Sequence, residues 1–445
     1  MEKHQDFQRV LLMILVCLLP LFLLLVLAAG GVTVHPLLFL ALILAGCAAM
    51  FFLMRAKQTA SMPAVQVTGG AMHKEDIELA ARAADVFKVE KGHRIGDLLV
   101  MEGKLLMDPD RAYTDLDQSY KDTDVKPLLQ EDEAGRPLLV LSRETDVQMH
   151  AQRSRPAVNL ILFLLTLVTT TGAGAAHLGV NLWSEPARAA LGLPYALALM
   201  LILGAHEMGH YLAARFHCVD VTLPYFIPIP FALGTFGAFI RMQSLPEDRR
   251  ALFDVAVAGP LAGLAFAIPA LGIGLHYSQV VPTAEATGAL HAGVSVNSSV
   301  LFAMLSRIAL GDTLAQGHEI VLHPLAFAGW LGLFVTALNL LPIGQLDGGH
   351  LAHALFGRKN SHTIAMVALF SLILLGLFVW SSLLIWAIIV YFLAGVKSAP
   401  PRNDVSRLDP YRVAIGAFAF VLLFLIAMPV PHALLQGLGI NCPYV

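Results

Sequence analysis

The stretch from Leu201 to Arg215 reads LILGAHEMGHYLAAR and sets His206, Glu207 and His210 within five residues of an otherwise apolar run. Residues four apart on an α-helix lie one turn from each other on the same face. Both imidazoles can therefore reach a single Zn²⁺, and Glu207 is near enough to take a proton from a water on that ion. With 17 His and 32 acidic residues in 445, the pattern His-acid-x-x-His arises by chance roughly 0.05 times per chain. The setting adds weight. An ionisable group at mid-membrane depth costs on the order of 3 kcal/mol, and three together roughly 5–10 kcal/mol. A structural zinc returns about 10–16 kcal/mol, which is a sufficient offset. These residues alone also fit a polar cluster facing a neighbouring helix or a water-filled transport path.

The elements that must position this motif are hydrophobic helices. The chain is 57% hydrophobic and 14% charged, with mean hydropathy +0.70, whereas ordinary globular chains carry about 25% charged residues. A soluble domain is excluded. A formal charge of −3 argues against nucleic acid as a partner. Cys17, Cys47, Cys218 and Cys442 are scattered singly with no C-x-x-C, so neither a disulfide framework nor a cysteine zinc site is indicated. Cys218 reads as a packing residue. Apolar runs near 10–30, 33–54, 157–177, 191–213, 253–275, 324–343, 363–380, 382–397 and 413–431 approach or reach the length of about 20 residues that crosses a bilayer. The expected fold is an all-α polytopic membrane protein of about nine spans, with a re-entrant hairpin and a small soluble α+β insert. The first run exceeds the about 7–15 residues of a signal-peptide core and reads as an uncleaved anchor.

Short flanks rich in Lys and Arg fall on one side of an alternating path: Lys3, Arg9, Arg55, Lys57, Arg153, Arg155, Arg215, Arg249, Arg250, Arg358, Lys359, Lys397, Arg402 and Arg412. That side is the cytoplasm. The N-terminus and residues 56–155, where both charge signs mix with short apolar segments, then lie inside. The motif sits toward the cytoplasmic half of the bilayer.

After the motif helix, VDVTLPYFIPIPFALGTFGAFIRMQSLPEDRR cannot be helical, because Pro224, Pro228 and Pro230 each remove a backbone donor. Its β-branched and aromatic residues favour extended chain, with Gly234 and Gly237 allowing close backbone approach. The segment reads either as a strand edge holding an unwound peptide by main-chain hydrogen bonds or as an interfacial connector. The next span carries AGPLAG, whose Gly259, Ala262 and Gly263 suit close helix packing. His276, His291 and His318 in the loop 276–322 have no ligand spacing, and SSVLFAMLSRIALG within it reads as an interfacial helix. A further span ends in ALNLLPIGQLDGGHLAHALFG. There Asn339 and Pro342 interrupt the helix, and Gly348 and Gly349 let the backbone turn so that Asp347 swings inward. A catalytic zinc takes three protein ligands plus an open position, and Asp347 completes the set.

HEMGH followed by NLLPIGQLDGG resembles the site-2 protease family of intramembrane zinc metalloproteases. Within it, PYFIPIPFALGTFGAF, AGPLAG, SRIALG, HPLAFAGWLGL and NLLPIGQLDGGH resemble the plastid branch, the ethylene-dependent gravitropism-deficient and yellow-green type, and its bacterial relatives. The likeness covers about 190–360. It implies one Zn²⁺ held by His206, His210 and Asp347, with Glu207 as general base. It also implies that Gly234, Thr235, Phe236, Gly237 and Ala238 form the substrate-holding loop. His350 departs from the Arg expected after Asp-Gly-Gly, which leaves that position without an assigned role.

The resulting expectation is hydrolysis of a peptide bond within or near a transmembrane segment of a membrane-protein substrate. Asn339 would hold the cleaved strand or stabilise the oxyanion. The expected organisation is an N-terminal transmembrane hairpin (1–55), a cytoplasmic soluble domain (56–155), a catalytic membrane core (156–361) and C-terminal transmembrane helices (362–445), in a bacterial inner membrane. A zincin with a glutamate as third ligand finds no Glu in the last four spans. A metal-ion or proton transporter would show repeated halves, and no second copy of either motif occurs. An inactive family scaffold is the remaining alternative.

Overall fold

The computed structural model describes residues 74–132, 135–143, 156–282, 299–311, 318–378, 382–395 and 398–427. The two expected spans before residue 55, His291 and the basic residues Lys3, Arg9, Arg55, Lys57, Arg153, Arg155 and Lys397 lie outside them. Contacts divide the chain into two units, and among the described residues the smaller holds 343–345 and 362–399. The larger holds the rest.

In the larger unit, residues 74–143 form the α+β insert: α1 (Lys74–Ala81), β1 (Phe87–Ile95), β2 (Leu98–Leu105), α2 (Pro109–Ser119), β3 (Val125–Glu131) and β4 (Pro137–Arg143). The sheet is antiparallel in the order β1-β2-β4-β3. Strand alternation sends Leu99, Met101, Leu129, Leu139 and Leu141 to one face, where they pack on Ala112, Tyr113 and Leu116 of α2. Asp108 caps α2 by accepting from the Asp110 N–H, with Pro109 at the first turn.

The helices of the membrane core follow. They are α3 (Pro156–His177), a 3₁₀ turn (Pro186–Gly192), α4 (Leu193–Phe216), α5 (Arg249–His276), α6 (Val300–Leu310), α7 (Pro324–Leu340) and α8 (Asp347–Phe378), then α9 (Ser382–Ala394) and α10 (Pro410–Ala427). Between α4 and α5 lies a β-hairpin, β5 (Tyr225–Pro228) with β6 (Thr235–Phe239), in the segment whose prolines forbid a helix. A second pair, β7 (Gln279–Pro282) with β8 (His318–Val321), was not legible in the sequence. Helix α6 coincides with the expected interfacial segment.

Five helices among the described residues are long and apolar enough to cross a membrane, and α6 and α7 are shorter apolar helices. This bears out a helical membrane protein with a mixed α+β insert; two of the nine expected spans fall outside the described residues. The expected run 363–380 begins within the second of two helical pieces, since α8 begins at Asp347 and breaks at Gly357 (φ 76, ψ 171).

Glycines let α4, α5 and α7 press together. A Cβ on Gly209 would lie 2.5 Å from the Ala258 carbonyl oxygen, and one on Gly329 would lie 2.4 Å from the Leu271 nitrogen. In a lipid setting, where apolar burial drives helix association weakly, this close van der Waals fit is the main packing term. Leu199, Ile202, Leu203, Leu264, Leu271, Phe327 and Leu331 fill the seam.

Two local expectations need correction. Cys218 is exposed and adopts φ 55, because it ends α4: the Val219 N–H reaches back to the Ala214 carbonyl at 2.8 Å, a left-handed cap. It is not a packing residue. The sharp turn before Asp347 falls at Gly344 (φ 54), not at Gly348. Gly348 serves close approach instead, since a Cβ there would sit 1.9 Å from the Leu340 carbonyl oxygen.

Candidate metal centre and active site

Helix α4 presents His206 and His210 on one face, buried against α5. The fit is made by the AGPLAG glycines. A Cβ on Gly259 would lie 2.1 Å from His210 Nε2, and one on Gly263 would lie 3.2 Å from His206 Nδ1. Each imidazole thus occupies the space a larger residue would fill. His210 Nδ1 lies 2.7 Å from the Val255 carbonyl oxygen, which fixes the ring and turns Nε2 toward Asp347.

Asp347 opens α8 beside this pair, although the two elements are far apart in sequence. His206 Nε2 and His210 Nε2 each lie 3.2 Å from Asp347 Oδ2. The two Nε2 atoms are 3.2 Å from each other. A tetrahedral zinc with arms of about 2.0–2.1 Å needs ligand atoms about 3.3 Å apart. The equilateral triangle therefore has the dimensions of three corners of a zinc tetrahedron. It is the one group of three or more metal-ligating residues found among the described residues.

Glu207 is buried next to the triangle. Asn339 comes from the last turn of α7 and sets its amide nitrogen 3.2 Å from His206 Nε2. His350, one turn into α8, is buried.

The 234–238 residues divide between anchoring and exposure. Gly234 (φ 80) is wedged on α3, where a Cβ would lie 2.5 Å from the Thr170 Cα. Thr169 Oγ1 donates to the Gly234 carbonyl at 2.7 Å, and Thr235 Oγ1 donates to the Ile227 carbonyl at 2.9 Å. Phe236 is exposed, and Gly237 (φ 100) has no atom within 4 Å of a would-be Cβ. Among the described residues β6 pairs only with β5, which leaves its other edge free of strands. The glycine seats, the Val255 carbonyl and the α3 threonines were missed as site-forming residues. AGPLAG was the visible signal, but spacing alone did not say what the glycines packed against.

Residues 194–379 match the model of peptidase family M50. The chain is 34% identical over 244 residues to the Arabidopsis thaliana protein named probable zinc metalloprotease EGY2, chloroplastic, covering 54% of this chain and 42% of that one. It is 35% identical over 251 residues to the Arabidopsis protein of the EGY1 name, covering 56% and 45%. To the Oryza sativa subsp. japonica EGY1 protein it is 34% identical over 253 residues, covering 56% and 42%. The matched region thus spans less than half the length of these relatives. No solved structure matches the chain. The His-Glu-x-x-His motif and Asp347 both fall inside the matched stretch.

Proposed function

We propose that this chain is an intramembrane zinc metalloprotease that hydrolyses a peptide bond within or near a transmembrane segment of a membrane-protein substrate. The observation that carries the reading is the 3.2 Å triangle of His206 Nε2, His210 Nε2 and Asp347 Oδ2. These three residues would hold one Zn²⁺. When bound there, the ion supplies Lewis acidity toward a water and toward the scissile carbonyl.

The chain's own groups do the rest. Glu207 takes the proton of the attacking water and passes it to the leaving amine. A helical substrate hides its carbonyls in hydrogen bonds, so it must unwind before attack. The free edge at Gly234, Thr235, Phe236, Gly237 and Ala238 offsets the lost bonds by pairing with the opened strand. Asn339, on the rim of the triangle, holds the cleaved strand or the developing oxyanion. Water enters from the side that carries the insert, which the Lys/Arg asymmetry assigns to the cytoplasm. We place the protein in a bacterial inner membrane, in contrast to the chloroplast named for its relatives.

Glu207→Gln tests the reading. Cleavage is expected to fall by roughly 10²–10⁴-fold, with zinc still bound at one per chain and the uncut substrate accumulating in the host membrane. Unchanged proteolysis in that variant rules out Glu207 as the base.

A further inference from the structure

The α8 helix that carries Asp347 is two pieces. Its first part, 347–356, ends at the break at Gly357, and its polar anchor is His353, which is buried. His353 Nε2 lies 2.8 Å from Asp404 Oδ1. Asp404 is fully buried, and the same oxygen accepts from Arg249 Nε at 3.0 Å. Arg249 Nη2 in turn lies 2.7 Å from Glu131 Oε1, and Glu131 belongs to β3 of the insert. A Cβ on Gly357 would lie 3.0 Å from Glu131 Oε2, so the break in α8 rests directly against this cluster.

Backbone pairing makes the same connection. β3 is an edge strand of the insert, and residues 402–404 run parallel beside it. Leu129 N–H donates to the Arg402 carbonyl at 2.8 Å, and Asp404 N–H donates to the Leu129 carbonyl at 2.7 Å. On the other side, the Arg402 and Asn403 N–H groups donate to the Pro246 and Glu247 carbonyls at 2.9 and 2.8 Å. Those residues lead into α5, the helix that seats both imidazoles. The insert's sheet is therefore extended by one short strand that also holds Asp404.

A buried ion cluster is a poor way to gain stability, since apolar residues of the same volume often do as well or better. Asp404 Oδ2 also has no hydrogen-bond partner among the described residues. What such a cluster does supply is a fixed register. The half-helix is a short rod with Asp347 at one end, and His353 lies six residues along it, about 9 Å away. At the front, Gly348 rests against the Leu340 carbonyl. A shift at His353 pivots the rod and moves the Asp347 carboxylate relative to the imidazole pair.

We propose that His353 is a positioning residue for Asp347, and that Asp404, Arg249 and Glu131 couple it to the docked 74–143 insert. The insert then helps set the metal ligand's geometry. This rests on reading His206, His210 and Asp347 as the zinc site.

The test uses the purified full-length protein loaded with Co²⁺ in place of zinc. Visible d–d bands report ligand geometry, and the rate of metal loss to a chelator reports retention. His353→Ala is expected to change the bands and speed metal loss about tenfold. His353→Gln, whose amide can still donate to Asp404, is expected to restore most of both. Glu131→Gln, changed only on the insert side, is expected to move both readouts the same way by less. Combined with His353→Ala it adds little, as members of one network should. Parent-like bands and metal retention in His353→Ala and Glu131→Gln, even with lowered melting temperatures, overturn the proposal by reducing the cluster to a structural one. A parent protein that binds no Co²⁺, or binds it equally well as His206→Ala, instead overturns the zinc reading beneath it.

Discussion

In the insert, several buried polar groups pair off within the protein. Asp76 meets Arg94 at 2.8 Å, Gln130 donates to the Pro401 carbonyl at 2.8 Å, and the Tyr120 hydroxyl donates to the Leu79 carbonyl at 2.6 Å. Between α4, α5 and α8 the pattern differs. His206, His210 and Asp347 turn their ligating atoms toward one another, inside walls of glycine and apolar side chains. The first region pairs these groups with one another, whereas the second has the form of a site finished by an ion. Polar atoms that converge on one point, rather than pairing off, mark where chemistry is intended.

The contrast can be broken most sharply at the glycine seats. Gly259→Ala puts a Cβ where His210 Nε2 now lies. It should reduce zinc retention and cleavage by at least about 100-fold. Gly272→Ala on the same helix meets nothing within 4 Å and should leave both unchanged. Equal behaviour of the two, by zinc stoichiometry and cleavage assay, would mean that the imidazoles are not held by shape.

Metal removal should separate the regions at intermediate scale. A ligand at 1,000 times its dissociation constant stabilises by about 4 kcal/mol. Chelation should therefore raise amide hydrogen exchange in α4 and the first part of α8 while β2 and β4 of the insert stay protected. Loss of protection in both regions together would show that the insert also depends on the ion.

The smallest effect concerns the insert alone. Burial pushes the phenols of Tyr113 and Tyr120 up to about 12, against about 10 for an unfolded chain. Ionisation then favours the unfolded state from pH 10 upward, so stability held below that point is lost progressively between pH 10 and about 12. Ultraviolet titration of the insert's tyrosines should show both phenols ionising late. Titration near 10 with the strands intact would mean that the two rings are more open than the packing implies.

Much of the site was legible because it is local. His206 and His210 are separated by one helical turn, and no neighbour is needed to bring them together. The prolines at 224, 228 and 230 excluded a helix for the same reason, and the structure has a hairpin there. The apolar run from 363 was legible too, and it lies in the helical piece beyond the break at Gly357. One expectation failed where an apparently local signal was overridden. Gly348 and Gly349 looked like a turn, yet the turn is at Gly344.

The sequence by itself determined a membrane-embedded His-Glu-x-x-His helix, an Asp on a later element able to complete its ligand set, and a charged insert of a different kind. Only the tertiary structure decided that the Val255 carbonyl holds the His210 ring, that Gly259 makes its seat, and that Glu131 and Asp404 reach the helix carrying Asp347. The reason is range. Helix and strand periods encode which residues share a face, but which face meets which is fixed by packing between segments tens to hundreds of residues apart. No spacing rule along one chain records that choice.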